Sequence, residues 1–209
     1  MSVIADMLLQ NYLEDLLNRK VALRLVRTLN RDTGRIFTVR KLAEAAGVSV
    51  SEAAVIVQEL EKYGIVTIQP VGRSYLIKLN ERSYFVNRIL RPIVKAEEET
   101  VAELVSIIRK HLTNKSIISA ILFGSVPRGQ ARKDSDIDLL VVSDNFDAAN
   151  TAISKAREEV TRVFNGRLSP LVMTRSEIRS RARSKLLASI VESYIHVAGR
   201  DLKSLIERN

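Results

Sequence analysis

The 209-residue chain contains no cysteine, only two histidines and no glycine- or serine-rich linker. Without thiols there is no disulfide framework and no thiolate zinc site, which fits a reducing, cytoplasmic setting. His111 stands alone near a helix end and His196 precedes Val197-Ala198-Gly199 in an apolar segment. Neither has the neighbouring ligands a metal site needs, so both read as structural. The segment Val3 to Leu17 is interrupted by Asp6, Asn11, Glu14 and Asp15, and is expected to be neither a signal peptide nor a membrane span. There is no internal repeat and no low-complexity tract. With no flexible linker, the domains are expected to be rigidly coupled.

What is present is apolar and basic. A hydrophobic fraction of 46% in a chain this long supports one sizeable core or two small ones, and the pattern favours two. The net charge of +9 points to an anionic partner, nucleotide or nucleic acid. It is unevenly spread: residues 1–95 hold 15 Lys and Arg against 9 Asp and Glu, and residues 96–209 hold 18 against 15.

The most informative run is Phe123 to Val142, Phe-Gly-Ser-Val-Pro-Arg-Gly-Gln-Ala-Arg-Lys-Asp-Ser-Asp-Ile-Asp-Leu-Leu-Val-Val. Asp136 and Asp138 lie two apart at the head of an apolar strand, so the period of two puts both carboxylates on one face. Two such oxygen donors suit a hard cation such as Mg²⁺ or Mn²⁺ that takes substrate phosphates as further ligands. Ser119 to Phe123 reads as a second buried strand leading into Gly124-Ser125. There glycine allows close backbone approach to a phosphate and serine adds a hydroxyl and an amide donor. Arg128 adds a guanidinium fork for a phosphate oxygen.

These residues resemble the DNA polymerase β-like nucleotidyltransferase superfamily, in particular its small prokaryotic branch, the minimal nucleotidyltransferases. That signature, Gly-Ser, ten residues, Asp-x-Asp, falls on Gly124, Ser125, Asp136 and Asp138, and Arg128-Gly129 and Ser135 to Leu139 match as well. The resemblance covers roughly Lys115 to Asn209. It implies a short mixed sheet with helices on one side, binding of an NTP with Mg²⁺, and transfer of a nucleoside monophosphate to an acceptor with release of pyrophosphate. Catalysis of that kind rests on positioning and on charge neutralisation by metal ions about 3.5–4 Å apart.

One departure matters. The superfamily has a third carboxylate on a later strand, but the strand available here, Arg167 to Met173, contains no acid. Ser169 takes the best-aligned position, and a neutral hydroxyl is a poor Mg²⁺ ligand and a poor base at neutral pH. Glu177 follows Thr174 at the spacing of a capping box, which assigns it to a helix end. The basic run Arg179, Arg181, Arg183 and Lys185 reads as a solvated helix face that could reach triphosphate or nucleic acid.

The first half has a different grammar. Val21 to Leu29 is apolar at helical spacing, Phe37-Thr38-Val39 leads into a short helix over Arg40 to Ala46, and Gly47 stops it. A second helix runs from Val48-Ser51 to Tyr63 with Ala53, Ile56, Val57 and Leu60 inward. Ile65 to Gln69 and Ser74 to Lys78 then alternate as two strands joined across Pro70-Val71-Gly72-Arg73. This order resembles prokaryotic winged helix-turn-helix domains over residues 15–80. The resemblance implies DNA binding, with Ser49, Ser51 and Gln58 toward bases and Arg40, Lys41 and Arg73 toward the backbone. Glu52 and Glu59 on the outward helix face oppose that role, and protein contact or dimerisation is the alternative.

Between the halves, Glu81 to Leu112 carries a helical apolar stripe, in which Pro92 marks a kink or a first turn. The expected fold is α+β: a winged helix domain over 1–80, a connecting helix over 81–113, and a polymerase β-like nucleotidyltransferase domain with a mixed sheet and helices over 114–209. Two functions compete. One is a nucleotidyltransferase acting on protein, RNA or a small molecule. The other is a DNA-binding transcription regulator whose second domain senses a nucleotide, or an antitoxin-like protein with a separate helical partner. A homodimer through the connecting helix is a further option.

Overall fold

The computed structural model describes residues 19–72 and 74–207. The segment from Val3 to Leu17 and Arg73 lie outside the described residues. The chain divides into two compact units, one through Glu98 and one from Glu99. Among the described residues, no helix is long and apolar enough to cross a membrane.

In the first unit, helix α1 (Lys20–Arg31) buries Ala22, Leu25, Val26 and Leu29, one stripe at helical spacing. The short strand β1 (Phe37–Thr38) leads into α2 (Val39–Ala46), where the Thr38 side chain accepts from the Lys41 amide. Gly47 closes α2 in the left-handed conformation at φ 64°. The Ser49 side chain then caps α3 (Val50–Lys62) by accepting from the Glu52 amide. Helix α3 buries Ala53, Ile56, Val57 and Leu60, the four residues expected to face inward. Strands β2 (Val66–Val71) and β3 (Ser74–Leu79) pair antiparallel, and β1 joins on the far side of β3, giving the order β1-β3-β2. The β2–β3 ladder runs to Val71 opposite Ser74, so the tip is two residues, tighter than the four expected. Leu25, Phe37, Leu42 and Ile77 lie in one core with α3.

A π-helical turn over Val86–Leu90 precedes α4 (Arg91–Leu112). Residues 84 and 85 are already helical and Arg91 donates to the Val86 carbonyl, so Pro92 lies inside a continuous helical run. The π turn just upstream accommodates the hydrogen bond its missing N–H cannot make.

The second unit is a four-stranded mixed sheet of order β6-β5-β4-β7. Strands β4 (Ser119–Phe123) and β5 (Ile137–Val142) are antiparallel, β7 (Ile195–Gly199) is antiparallel to β4, and β6 (Leu168–Met173) is parallel to β5. The parallel pair is joined by α5 (Phe146–Phe164), a helix the sequence reading leaves unassigned. The Asn145 side chain caps it, and Ala149, Ala152, Ile153, Ala156 and Val160 form its inner stripe.

Both faces of this sheet are covered, which corrects the expectation of helices on one side. Leu122, Leu139 and Val141 share a core with residues of α4 and α5. Ile121, Leu140 and Val142 pack instead with Ile178 of α6 (Arg175–Ser180), Leu187 and Ile190 of α7 (Lys185–Glu192), and Leu202 and Leu205 of α8 (Leu202–Ile206). The apolar run Leu139-Leu140-Val141-Val142 needs cover on both sides, since successive residues point to opposite faces. Helix α4 is tied to the edge strand where Arg109 Nε donates to the Val197 carbonyl at 2.7 Å.

Candidate active site

The site forms where β4 ends and β5 begins. In the antiparallel β4–β5 register Asp138 lies opposite Phe123, so the turn that leaves β4 at Gly124 starts beside the Asp138 carboxylate. Gly124 has φ +79°, and an ideal Cβ built there would overlap that carboxylate, with Asp138 Cγ at 3.0 Å. Only glycine fits both the backbone conformation and the space. The following turn is held by the Gly129 amide on the Val126 carbonyl at 3.0 Å and the Gln130 amide on the Ser125 carbonyl at 2.9 Å. Ser135 pins the return, accepting from the Arg132 amide at 2.9 Å through its hydroxyl. Ser125 is half-buried and Arg128 is exposed.

The two aspartates have different surroundings. Arg167, the residue just before β6, grips Asp136 with a two-point fork: Nε to Oδ1 at 2.7 Å and Nη2 to Oδ2 at 2.7 Å. That pairing holds the Asp136 carboxyl below the ordinary range and pushes the Arg167 guanidinium up. Burial raises the Asp138 carboxyl, the Asp136 charge adds to the rise, and the Arg128 charge opposes it. Arg128 thus exerts its charge on Asp138, while Asp136 answers to Arg167.

On the other flank, β6 places Ser169 opposite Asp138 in the parallel register. Ser169 therefore occupies the strand position adjoining the second aspartate. Glu177 lies beyond Met173, past the opposite end of β6, and completes the capping box expected from sequence: its carboxylate accepts from the Thr174 amide at 2.8 Å. Among the described residues no group of three or more His, Cys, Asp and Glu side chains could hold a metal ion. The donor set of Asp136 and Asp138 fits a hard divalent cation that completes its shell with water and phosphate oxygens.

Sequence reasoning missed Arg167. A cation one residue ahead of a strand parallel to the Asp-x-Asp strand was the available signal, but only the β5–β6 register brings it level with Asp136. The two histidines are engaged as local partners: His111 Nε2 contacts the Glu159 carboxylate, and His196 Nε2 lies 3.1 Å from the Gly199 carbonyl. Arg179, Arg181, Arg183 and Lys185 are exposed around α6 and the start of α7, and Arg181 lies 4.0 Å from Glu177.

In the first unit Arg40, Lys41, Ser49, Ser51 and Gln58 are all exposed. Ser49 is also committed to its cap and donates to Glu52 Oε2 at 2.6 Å, and Glu59 pairs with Arg19. Arg73 lies outside the described residues.

The family model described as "Nucleotidyltransferase domain" matches residues 101–195. A curated relative from Methanocaldococcus jannaschii, named "Putative protein adenylyltransferase", is 31% identical over 98 residues, which is 44% of this chain and 67% of that protein. Among solved structures, a toxin-antitoxin with AMP-PNP is 20% identical, covering 49% of this chain and 80% of its own at a TM-score of 0.35. TrmBL2, titled an archaeal chromatin protein with a novel mode of DNA binding, is 15% identical, covering 86% of this chain and 75% of its own at a TM-score of 0.28.

Proposed function

Because the chain belongs to the nucleotidyltransferase family, we propose that its second unit binds a nucleoside triphosphate with a divalent cation and transfers the nucleoside monophosphate to a protein hydroxyl, breaking the α–β phosphoanhydride bond and releasing pyrophosphate. The observation that carries this reading is the junction of Gly124 and Asp138. A glycine turn whose Cβ space is filled by the Asp138 carboxylate brings the backbone amides after β4 close to that carboxylate, the juxtaposition that phosphate and cation binding would use. Gly124, Ser125 and Arg128 hold the phosphates, and Asp136 and Asp138 hold Mg²⁺ or Mn²⁺. The cation, when bound, offsets phosphate charge and makes the α-phosphorus a better electrophile. ATP as the nucleotide and protein as the acceptor follow the name of the archaeal relative. Ser169 offers no carboxylate to take the acceptor's proton, so transfer is expected to be slow relative to binding.

The test is [α-³²P]ATP with Mn²⁺ and a prokaryotic lysate, alongside nucleotide binding by calorimetry. Label on protein, lost in Asp138→Ala together with binding, is the expected result. Binding that depends on Asp136 and Asp138 without any transfer of label would overturn the transferase reading and leave a nucleotide sensor.

A second reading concerns the first unit, proposed as a winged helix-turn-helix that binds DNA. It is supported by the succession α2, α3 and the β2–β3 hairpin, with the Arg40, Lys41, Ser51 and Gln58 side chains in solvent. Binding to duplex DNA should weaken steeply with salt and fall further in Arg40→Ala with Arg73→Ala. Affinity indifferent to both would leave α3 as a protein contact, the alternative favoured by Glu52 and Glu59.

A further inference from the structure

Arg167 places a positive charge on the ligand that a cation needs. Both oxygens of Asp136 are engaged by its fork at 2.7 Å, the bidentate geometry in which guanidinium and carboxylate match best. With Asp136, Asp138 and Arg167 together, the cluster carries one net negative charge, where two aspartates alone would carry two. Two residues further on, at the next position of the same face, β6 carries the neutral Ser169, so Arg167 and β6 together bring a cation and a hydroxyl to this end of the sheet and no acid.

The two ends of Arg167 differ in freedom. Its backbone is fixed beside Asp136, because its carbonyl accepts the Ile137 amide at 2.9 Å. Its side chain is 79% exposed against 31% for Asp136. Because the guanidinium is open to water, the fork can exchange Asp136 for another acceptor without leaving a buried charge unpaired. A phosphate likewise offers the fork a pair of acceptor oxygens, a triphosphate carries more charge than one carboxylate, and guanidinium recognises either group.

Resting on the assignment of Asp136 and Asp138 as cation ligands, we propose that Arg167 is a positioning residue that closes Asp136 to free divalent cations and releases it when nucleotide phosphates arrive. The guanidinium then pairs with the phosphates, and the freed carboxylate takes the cation that accompanies them. Cation and nucleotide therefore bind cooperatively, and free Mg²⁺ or Mn²⁺ on its own loads the site only weakly.

Mn²⁺ binding to the full chain, followed by electron paramagnetic resonance with and without a non-hydrolysable ATP analogue, tests this. Wild type should bind free Mn²⁺ weakly, and Arg167→Ala should bind it roughly five- to tenfold more tightly. The analogue should strengthen Mn²⁺ binding more in wild type than in Arg167→Ala. Arg167→Lys keeps the charge without the fork and should fall between the two; it also carries the test if the alanine variant fails to fold. Equal affinity for free Mn²⁺ in wild type and in folded Arg167 variants would overturn the latch while leaving the site intact. Mn²⁺ binding indifferent to both Asp136→Ala and Asp138→Ala would instead remove the site assignment, and the latch with it.

Discussion

Ser169 is the register partner of Asp138 across the parallel β5–β6 pairing, so the strand position next to the second aspartate carries a neutral hydroxyl. In the proposed site this juxtaposition would leave two carboxylates to hold a charged ligand and none on β6 to take an acceptor's proton. Under the proposed assignment, the negative charge that a cation needs would come from Asp136 and Asp138, at the head of β5, alone.

Ser169→Asp should convert that position into a third ligand. Mn²⁺ should bind about tenfold more tightly, while in EDTA the added like charge should lower stability by about 1 kcal/mol. Mn²⁺ titration and thermal melts in both media check it. Unchanged values in both would show that position 169 does not communicate with Asp138.

Gly124→Ala should be costly twice over, through the left-handed backbone and through overlap with the Asp138 carboxylate. The combined loss is expected to be about 2–4 kcal/mol, with nucleotide binding abolished. Gly129→Ala is the matched comparison: its φ is +66° but the space around it is open, so only the backbone penalty of about 1 kcal/mol applies. Urea unfolding of the two variants measures the difference.

Leu139→Ala and Leu140→Ala should each destabilise the second unit by about 2–5 kcal/mol, since both side chains are fully buried, on opposite faces of β5. If the sheet had helices on one face alone, one of the two substitutions would be mild. Denaturant midpoints decide between these outcomes.

Glu159 provides a pH test within the second unit. Hydrogen bonds from His111 and Lys110 hold its carboxyl below the ordinary glutamate value of 4.5. A depressed carboxyl stabilises the fold above that value and loses the effect as pH falls through its folded-state range. Wild type should therefore be more stable than Glu159→Gln at neutral pH, and their melting temperatures should converge on acidification below about 4.5. A gap that stays constant with pH would show that the carboxylate charge is not involved.

Much of the fold was legible because it is written in local patterns. The inner face of α3, the Thr174–Glu177 capping box and the apolar runs of β4 and β5 follow from spacing, and spacing survives whatever the rest of the chain does. Helix α5 escaped because its inner stripe is mostly alanine, whose small apolar contrast hides a helical period that its Asn145 cap alone would have marked. The tight hairpin was mistaken for a longer turn because Pro70 looks like a breaker, yet it can occupy an edge strand such as β2.

The sequence by itself determined which groups are available and at what spacing: Gly124 and Ser125 separated by ten residues from the Asp136 and Asp138 pair, and the lack of an acid between Arg167 and Met173. Those are properties of residue type and spacing, and they hold in any register. What only the tertiary structure decided is how the charges combine. Arg167 is 31 residues from Asp136 along the chain, and it becomes the partner of that carboxylate only because β6 lies parallel to β5 in one particular register. Long-range pairing of two strands through α5 leaves no trace in local periodicity, so the balance of one cation against two anions at this site exists only in the folded molecule.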